Sequence, residues 1–335
     1  MDLNILSISL DAELYFLKGE EHKIRRELKK AISYYRKSLC CNKKHKESLI
    51  RMAECQYELG LHLKAMKTQK KVLALDPENP AFFYNLGLCE KHAGGVEGLC
   101  SFRSFYKAIN IFKHQLAHYS NDADYFYNLG LCQKEAIGSG KTNYRADYRK
   151  AGYSLEAMQY FKKAIELNPY NMDYFYELGL LLCLCGLDED AINIFKQALG
   201  FDHENALILK MLGIAQQNVG LHKDAIASFA HSIQLNPNDI SAYYNMGVSQ
   251  RAIGLKKDAT RSFKQTISLG ANDDPHSLYY IGHCQGKLGL KKDATKSFQQ
   301  AFKLMVKNYN CVLSRCLRSK KDFKLYAKSK MMAVK

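Results

Sequence analysis

The sequence predicts an all-α protein, a right-handed superhelical solenoid of about eight helix-turn-helix repeats that ends in a C-terminal capping helix. Three observations predict this class. A 34-residue period recurs along much of the chain, small residues return at fixed positions within it, and only five of the 335 residues are proline. Internal repeats override chain length as a guide, so we do not expect the two or three compact domains that length alone would suggest.

The repeating unit is clearest in residues 172–205 and 206–239, which are equal in length. Each unit is predicted to hold two helices. Midway along the first helix a large apolar residue precedes glycine, at Leu86-Gly87, Leu129-Gly130, Leu178-Gly179, Leu212-Gly213, Met246-Gly247 and Ile281-Gly282. The second helix carries its own small residue, at Ala65, Ala108, Ala157, Ala191, Ala225, Ala259 and Ala294. Both helices of a unit therefore have a narrow point.

A large side chain follows most of these alanines by four residues, which is the spacing of a buried helical stripe. These side chains are Phe112, Phe161, Phe195, Phe229, Phe263 and Phe298, with Gln69 as the exception. Glycine inside a helix costs about 1 kcal/mol relative to alanine, so its recurrence demands a compensating contact. We predict that glycine and alanine lie opposite each other and let the two helices cross closely, while flanking Leu, Tyr and Phe fill the interface.

The solenoid is expected to cover residues 1–308, with a capping helix and basic tail at 309–335. Its units are predicted near residues 12–45, 46–79, 80–122, 123–171, 172–205, 206–239, 240–274 and 275–308. Glycines are expected to end four of the first helices, at Gly186, Gly220, Gly254 and Gly289. In the first unit Gly19, Ala31 and Tyr35 fit the pattern, but no glycine closes the first helix.

Units 80–122 and 123–171 are longer than the others, and we expect the extra residues of both to lie between the two helices. Insertions on one face of neighbouring repeats often mark a binding surface. The second insert carries Tyr144, Arg145, Tyr148 and Arg149 at a spacing that suggests an outward extension of the following helix. These residues are either a binding edge, because Tyr and Arg are frequent in interface hot spots, or a solvated extension that packs on the neighbouring insert.

The succession of aromatic, Leu-Gly, Ala, Phe, Ala and Pro resembles the degenerate signature of the tetratricopeptide repeat family, over roughly residues 12–308. One unit departs at its last position, where His203 replaces proline. The resemblance implies that the first helices line a concave groove, in which asparagines hydrogen-bond the backbone of an extended peptide and tyrosines anchor it. The implied groove residues are Tyr84, Asn85, Tyr127, Asn128, Tyr176, Lys210, Tyr244, Asn245 and Tyr279.

An alternative remains open for each of these positions, namely that the tyrosine packs against the next repeat and the asparagine braces a loop. Some members of the family that bind chaperones hold a C-terminal carboxylate in a clamp of lysines, asparagines and arginine. Only Lys210 and Asn245 match fragments of that clamp here. The sequence therefore favours a groove for an internal peptide or disordered segment over one for chaperone tails.

No constellation of side chains suggests catalysis, a cofactor or a metal. Cys55, Cys89, Cys132 and Cys284 fall at one phase of the repeat, which favours buried thiols of the core. The eleven cysteines include no C-x-x-C pair of the kind that binds zinc. We therefore expect a protein that is not an enzyme and that binds a protein or peptide partner.

The net charge of +16 is unevenly distributed, since residues 275–335 carry 14 Lys and Arg against two Asp and Glu. This suggests an alternative function, the binding of nucleic acid or an anionic membrane through the basic C-terminal region. A third possibility is a non-catalytic targeting subunit of an enzyme. The N-terminus lacks the basic segment and long apolar run of a signal peptide, so we expect a cytosolic protein without a membrane span.

Overall fold

The computed structural model describes residues 2–93, 95–139, 144–270 and 274–308. Within these ranges the chain forms sixteen helices and no strand. The helices are α1 Asp2–Ile24, α2 Leu28–Cys41, α3 Lys46–Glu58, α4 His62–Leu75, α5 Pro80–Ala93, α6 Gly95–Gln115, α7 Ala123–Ser139, α8 Tyr144–Leu167, α9 Met172–Leu184, α10 Asp188–Phe201, α11 Ala206–Asn218, α12 His222–Leu235, α13 Ile240–Ala252, α14 Lys256–Leu269, α15 Pro275–Lys287 and α16 Lys291–Asn308. The described chain is an all-α helical repeat solenoid, as predicted.

The helices belong to two compact units. Of the described residues, the first unit includes those within 2–120 and 131–153, and the second includes those within 121–130 and 154–308. Within each unit, consecutive helices pack in pairs, and the second helix of one pair contacts the first helix of the next. First helices of neighbouring pairs also touch directly, α1 with α3 in the first unit, and α9, α11, α13 and α15 in succession in the second.

A tight turn built on a left-handed residue joins the two helices of most pairs. Between α9 and α10, Gly186 has φ 75°. The amide of Gly186 donates to the carbonyl of Cys183, and the amide of Leu187 donates to that of Leu182. This arrangement satisfies carbonyls at the helix end. The predicted glycines Gly220, Gly254 and Gly289, and also Gly60, have the same backbone conformation.

The first helix pair makes the same turn without glycine. Arg26 occupies the position and has φ 58°, the one positive φ at a non-glycine residue in the described chain. The amide of Arg26 donates to Lys23 and the amide of Glu27 donates to His22, as in the glycine turns. Because a side chain in this conformation is strained by about 1–2 kcal/mol, the turn is formed here at a cost.

Side-chain caps begin several of the first helices. A carboxylate oxygen of Asp239 accepts hydrogen bonds from the amides of Ser241 and Ala242, at 3.0 and 3.1 Å. Asn205 and Asp274 occupy the equivalent position before α11 and α15 and also accept from helix amides. Each cap satisfies donors that the first turn of a helix leaves free.

The prediction that glycine lies opposite alanine needs correction. The atoms nearest to a Cβ placed on the first-helix glycine are ring carbons of an aromatic residue on the second helix, and the shortest distances are 2.6–2.8 Å at Gly87, Gly130, Gly213, Gly247 and Gly282. The rings belong to Phe105, Phe161, Phe229, Phe263 and Phe298, respectively, and Gly179 with Phe195 and Gly19 with Tyr35 form equivalent pairs. Glycine is therefore needed because the ring fills the place of its side chain, and the predicted alanines are buried beside it.

The third pair is shifted relative to its prediction. Phe105, and not Phe112, fits against Gly87, and the position four residues before Phe105 is the buried Ser101, and not Ala108. Only two of the nine extra residues of this pair precede Phe105, and the other seven follow it, in the end of α6 and the loop beyond it. The expectation that both inserts separate the two helices was therefore wrong for residues 80–122. The sequence misled because Ala108 and Phe112 are also buried at four-residue spacing.

The first helix begins earlier than predicted, and the C-terminal residues lie outside the described ranges. Helix α1 begins at Asp2, ten residues before the predicted start at Ala12. Helix α16 is described as far as Asn308, and the predicted capping helix and basic tail at 309–335 lie outside the described residues.

Candidate functional site

The predicted groove residues lie on the first helices, three and two residues before the glycine of each pair. We call the surface that they and the intervening residues form the first-helix face. It is present in both compact units. The repeat explains the placement, because residues at one phase of successive helices share one side.

The tyrosines of this face contribute to the hydrophobic core as well as to the surface. The rings of Tyr84, Tyr127 and Tyr279 lie 5.9 Å from those of Phe105, Phe161 and Phe298, and Tyr244 lies 6.2 Å from Phe263. We call the space above the first-helix glycine, which the aromatic ring of the second helix fills, the notch. Each tyrosine therefore packs beside the ring that fills the notch of its own helix pair. Tyr176 is half-buried, and Tyr279 remains 47% exposed.

Tyr127 and Tyr244 also contact aromatic residues of the next helix pair, as the alternative interpretation proposed. The ring of Tyr127 lies 4.9 Å from that of Tyr174, whose hydroxyl donates to Asp124 at 2.5 Å. Burial, followed by the nearby Glu177, raises the pKa of Tyr127, and burial and Asp124 raise that of Tyr174 to about 12. Both phenols are therefore neutral hydrogen-bonding groups at neutral pH.

An aromatic cluster surrounds His283 in the second unit. The imidazole lies 4.5 Å from the ring of Tyr279, 5.2 Å from Phe298 and 6.0 Å from Tyr244. Its Nε2 atom is buried and forms no hydrogen bond with any residue that the structure describes. Burial, with a smaller contribution from Lys287, lowers the pKa of His283. Tyr280, which the sequence analysis did not select, joins the cluster at 5.2 Å from Tyr244.

The three predicted asparagines differ in their surroundings. Asn128 is exposed, and Asn85 is half-buried in the wall of a pocket. The Nδ2 atom of Asn245 donates to the carbonyl of Ser241 in its own helix, and its backbone carbonyl accepts from Gln217. Asn85 and Asn128 therefore fit the role of presenting an amide to a ligand better than Asn245 does.

Lys210 is held in an ion pair and does not project freely. Its Nζ atom lies 2.8 Å from Asp239, and less than a fifth of either side chain is exposed. Burial acts to raise the pKa of Asp239, but hydrogen bonds from Lys210 and Ser241 outweigh it and hold the pKa below its ordinary value. The pair connects α11 to the cap of α13, which is a structural role.

A pocket of about 220 Å³ opens on the first-helix face of the first unit, between α3 and α5. Ile50, Ala53, Leu88 and Cys89 supply its apolar surface. Its polar and aromatic lining is Glu54, Tyr57, Glu58, Gln69 and Asn85. Of the predicted groove residues only Asn85 lies in this pocket. The other lining residues were not predicted, because α3 has Met52-Ala53 where six other first helices have a large apolar residue followed by glycine.

A repeated buried hydrogen bond, which the sequence analysis also missed, links the two helices of several pairs. The hydroxyl of a serine or threonine donates to the side-chain oxygen of a glutamine twelve residues earlier, as Ser262 does to Gln250 at 2.8 Å. Thr68 donates to Gln56 and Ser228 to Gln216 in the same buried way, and Ser297 makes the equivalent bond to Gln285 in a partly buried position. Each glutamine lies three residues after the small residue of its first helix, a spacing that could have revealed it.

The four cysteines predicted to be core thiols are all buried and free. Burial raises the pKa of Cys55 to about 11 and those of Cys89 and Cys284 to about 12, and it raises that of Cys132 well above its ordinary value. The thiols are therefore protonated and poor ligands or nucleophiles at neutral pH. Among the described residues, no group of three or more His, Cys, Asp or Glu is arranged to hold a metal ion.

Other predicted features are only partly described. The backbone of Tyr144, Arg145, Tyr148 and Arg149 forms the first turns of α8, which has 24 residues compared with 14 in α10, but their side chains lie outside the described residues. Residues 309–335, which hold eight of the 14 Lys and Arg of the basic C-terminal region, lie outside them as well. No helix in the described ranges is both long and apolar enough to cross a membrane.

These features define a class, a helical repeat protein with one recurring face of aromatic, amide and acidic groups. The family model for the tetratricopeptide repeat matches residues 46–79 and 148–171. In these two segments the chain is therefore similar to the tetratricopeptide repeat (TPR).

One solved structure supports this fold, and two further ones show a more limited similarity. A tetratricopeptide repeat protein from Parabacteroides merdae is 16% identical, with a TM-score of 0.52 over 85% of this chain and 98% of that one. MamA is 26% identical, with a TM-score of 0.38 over 50% of this chain and 98% of that one. YrrB, described as a TPR protein with an unusual peptide-binding site, is 20% identical, with a TM-score of 0.40 over 60% of this chain and 91% of that one. A search of curated protein sequences found no match.

Proposed function

We propose that this protein is a non-catalytic interaction scaffold that holds an extended segment of a partner protein on its first-helix face. The observation that carries the proposal is the recurrence of amide and tyrosine side chains at one phase of successive first helices, with Asn128 and Tyr279 exposed and Asn85 in the wall of a pocket. Amides can pair with the backbone of any extended peptide, whereas tyrosine rings and the pocket select among side chains.

The rigidity of the face supports this role. The tyrosines are braced by the aromatic rings of their own helix pairs, and beneath Tyr244 a buried hydrogen bond from Ser262 to Gln250 joins the two helices. A preorganised surface loses little side-chain entropy when a ligand binds. We place the protein in the cytosol, because every described cysteine is a free thiol and disulfides are rare in a reducing compartment.

The test replaces Asn85, Asn128 and Asn245 together by alanine and compares the proteins that the immobilised full chain retains from native lysate. Loss of one amide contact costs about 0.5–1.5 kcal/mol, so the triple variant should lose most of its capture while helicity measured by circular dichroism is unchanged. A control variant replaces by alanine three amide residues that are exposed on second helices, Gln159, Asn193 and Gln299. It should retain wild-type capture. Equal capture by the wild type and the asparagine variant would refute the proposed face.

A further inference from the structure

The second helix pair lacks the glycine and aromatic ring that the other seven pairs share. Ala53 stands at the glycine position of α3, and Gln69 stands at the ring position of α4. In the other pairs, a Cβ on the glycine would overlap the ring. The methyl group of Ala53 therefore excludes a ring at position 69, and the two substitutions belong together.

The presence of alanine and glutamine in place of glycine and an aromatic ring changes the packing between α3 and α5. The side chain of Gln69 is buried, and its amide donates to the carbonyl of Phe82 on α5 at 3.2 Å. Ala53 and Gln69 both line the pocket of about 220 Å³. A cavity of about 150 Å³ is enough to hold a benzene molecule, so this pocket has room for one long side chain from another molecule.

The polar groups of the pocket favour a cationic guest. Glu54 and Glu58 line it, and the lining contains no lysine, arginine or histidine, although the chain has a net charge of +16. Glu54 is already shared by Lys23 and Arg51, at 2.6 and 3.0 Å. Glu58 is exposed and forms no ion pair with any described residue, so its carboxylate is available to a ligand.

The apolar wall and the tyrosine suit the rest of such a side chain. Ile50, Ala53 and Leu88 present aliphatic surface on which the methylene stem of lysine or arginine can lie. The hydroxyl of Tyr57 is engaged with His92 at 3.0 Å, which fixes the orientation of the ring. A guanidinium or ammonium group is attracted to the face of such a ring.

We propose that this pocket binds one arginine or lysine side chain of the partner segment, with the stem against Ile50, Ala53 and Leu88 and the charged head beside Glu58. The inference rests on the proposed function, because it names one specificity position within the first-helix face. Specificity at this position follows from the local exchange of glycine and ring for alanine and glutamine, which opens an acidic site in an otherwise basic protein.

The experiment selects a phage-displayed library of random dodecapeptides on the immobilised full chain. The expected result is enrichment of peptides with arginine or lysine at one fixed position. Replacement of that residue by alanine in a synthetic peptide should weaken binding about tenfold in fluorescence anisotropy, within the usual range for an interface anchor. Replacement by leucine should weaken it similarly, which separates a cation site from an apolar one.

Three variants connect the preference to the pocket. The double variant Ala53→Gly, Gln69→Phe restores the glycine and aromatic ring of the other helix pairs. It should fold normally but lose the preference for peptides with arginine or lysine. Glu58→Gln should weaken binding of the selected peptide several-fold. Glu78 is an exposed acid in the loop after α4, and Glu78→Gln should bind the peptide as the wild type does.

The outcomes separate the two proposals. The pocket proposal would be overturned if the enriched peptides shared no arginine or lysine position, or if the Ala53→Gly, Gln69→Phe variant still preferred basic peptides. Either result would leave the scaffold function intact. A folded wild type that enriches no peptide would overturn both.

Discussion

The notch between glycine and ring can be tested at Gly213, where a new Cβ would lie 2.7, 2.8 and 3.0 Å from three ring carbons of Phe229. Phe229 is fully buried, so its ring cannot move into solvent. Ordinary carbon contacts lie at about 3.5–4.0 Å, and overpacking of this kind costs about 1–3 kcal/mol. Alanine recovers about 1 kcal/mol of helix propensity. With three carbons in overlap we take the upper end, and Gly213→Ala should lose about 2 kcal/mol.

The assay is urea unfolding followed by circular dichroism, together with hydrogen exchange of α11 and α12, because stability in a repeat array is partly local. A double-mutant cycle with Phe229→Leu identifies the cause. If the ring is the obstacle, Gly213→Ala should cost at least about 1 kcal/mol less in the Phe229→Leu background than in the wild type.

A matched control uses the same substitution where there is space. Gly200 lies in α10 with nothing within 4 Å of its Cβ position, so Gly200→Ala should leave stability unchanged or raise it by up to about 1 kcal/mol. The notch explanation fails if Gly213→Ala is as stable as the wild type, or if its cost is unchanged when Phe229→Leu is also present.

Three further predictions concern the turn at Arg26, two half-buried imidazoles and the buried hydrogen bond of Ser262. Arg26→Gly should raise the free energy of unfolding by about 0.5–1 kcal/mol in urea, because φ is 58° there, and a loss of stability would contradict the assigned strain. Burial, assisted by His92 and Lys287 respectively, lowers the pKa values of His62 and His283 below the ordinary 6.5. The unfolded chain therefore binds protons first as pH falls, so stability should be full above about pH 6.5 and decline below it until the folded imidazoles titrate. Unfolding measured from pH 8 to 5 should be less pH-dependent when both are replaced by glutamine, and an unchanged profile would exclude them as the cause. Ser262→Ala should cost about 1–3 kcal/mol because it leaves Gln250 without its partner, whereas Gln250→Leu with Ser262→Ala should be nearly neutral; equal losses in urea unfolding would argue against this hydrogen bond.

The chain itself contains a precedent for the last prediction. In the pair α9 and α10, the glutamine and serine positions are occupied by Leu182 and Ile194. Leu182 is buried, and no polar group is left there to satisfy. An apolar pair and a hydrogen-bonded pair are thus two solutions to the same position, whereas a mixed pair would leave a buried amide oxygen unpaired.

Much of the fold could be predicted because its signals are local. Gly186, Gly220, Gly254 and Gly289 end the first helices as predicted, since a left-handed residue is required within a few residues of each helix end. The burial of the alanines and of Cys55, Cys89, Cys132 and Cys284 follows from helical periodicity, which requires no knowledge of the partner helix. The left-handed conformation of Arg26 could not be predicted from residue type, because arginine rarely adopts it.

The site was less predictable than the fold. Periodicity placed Tyr84, Tyr127 and Tyr244 on one face, but whether a ring at such a position packs, projects or does both depends on the volume left by the second helix. The pocket beside Ala53 and Gln69 was not predicted at all, although both residues depart visibly from the repeat. An irregular residue signals a change in packing without revealing whether the space is filled or left open.

By itself, the sequence determined that the chain forms paired helices, where the turns occur and which side of each helix is buried, because backbone conformation and periodicity act over a few residues. Only the tertiary structure decided which side chain meets each glycine, that Phe105 and not Phe112 does so in the third pair, and that a pocket opens where alanine and glutamine replace glycine and ring. The physical reason is that the register between two helices is set by the fit of side-chain volumes across their interface. That fit is a property of both helices together, and residues about sixteen or more positions apart in the sequence determine it jointly.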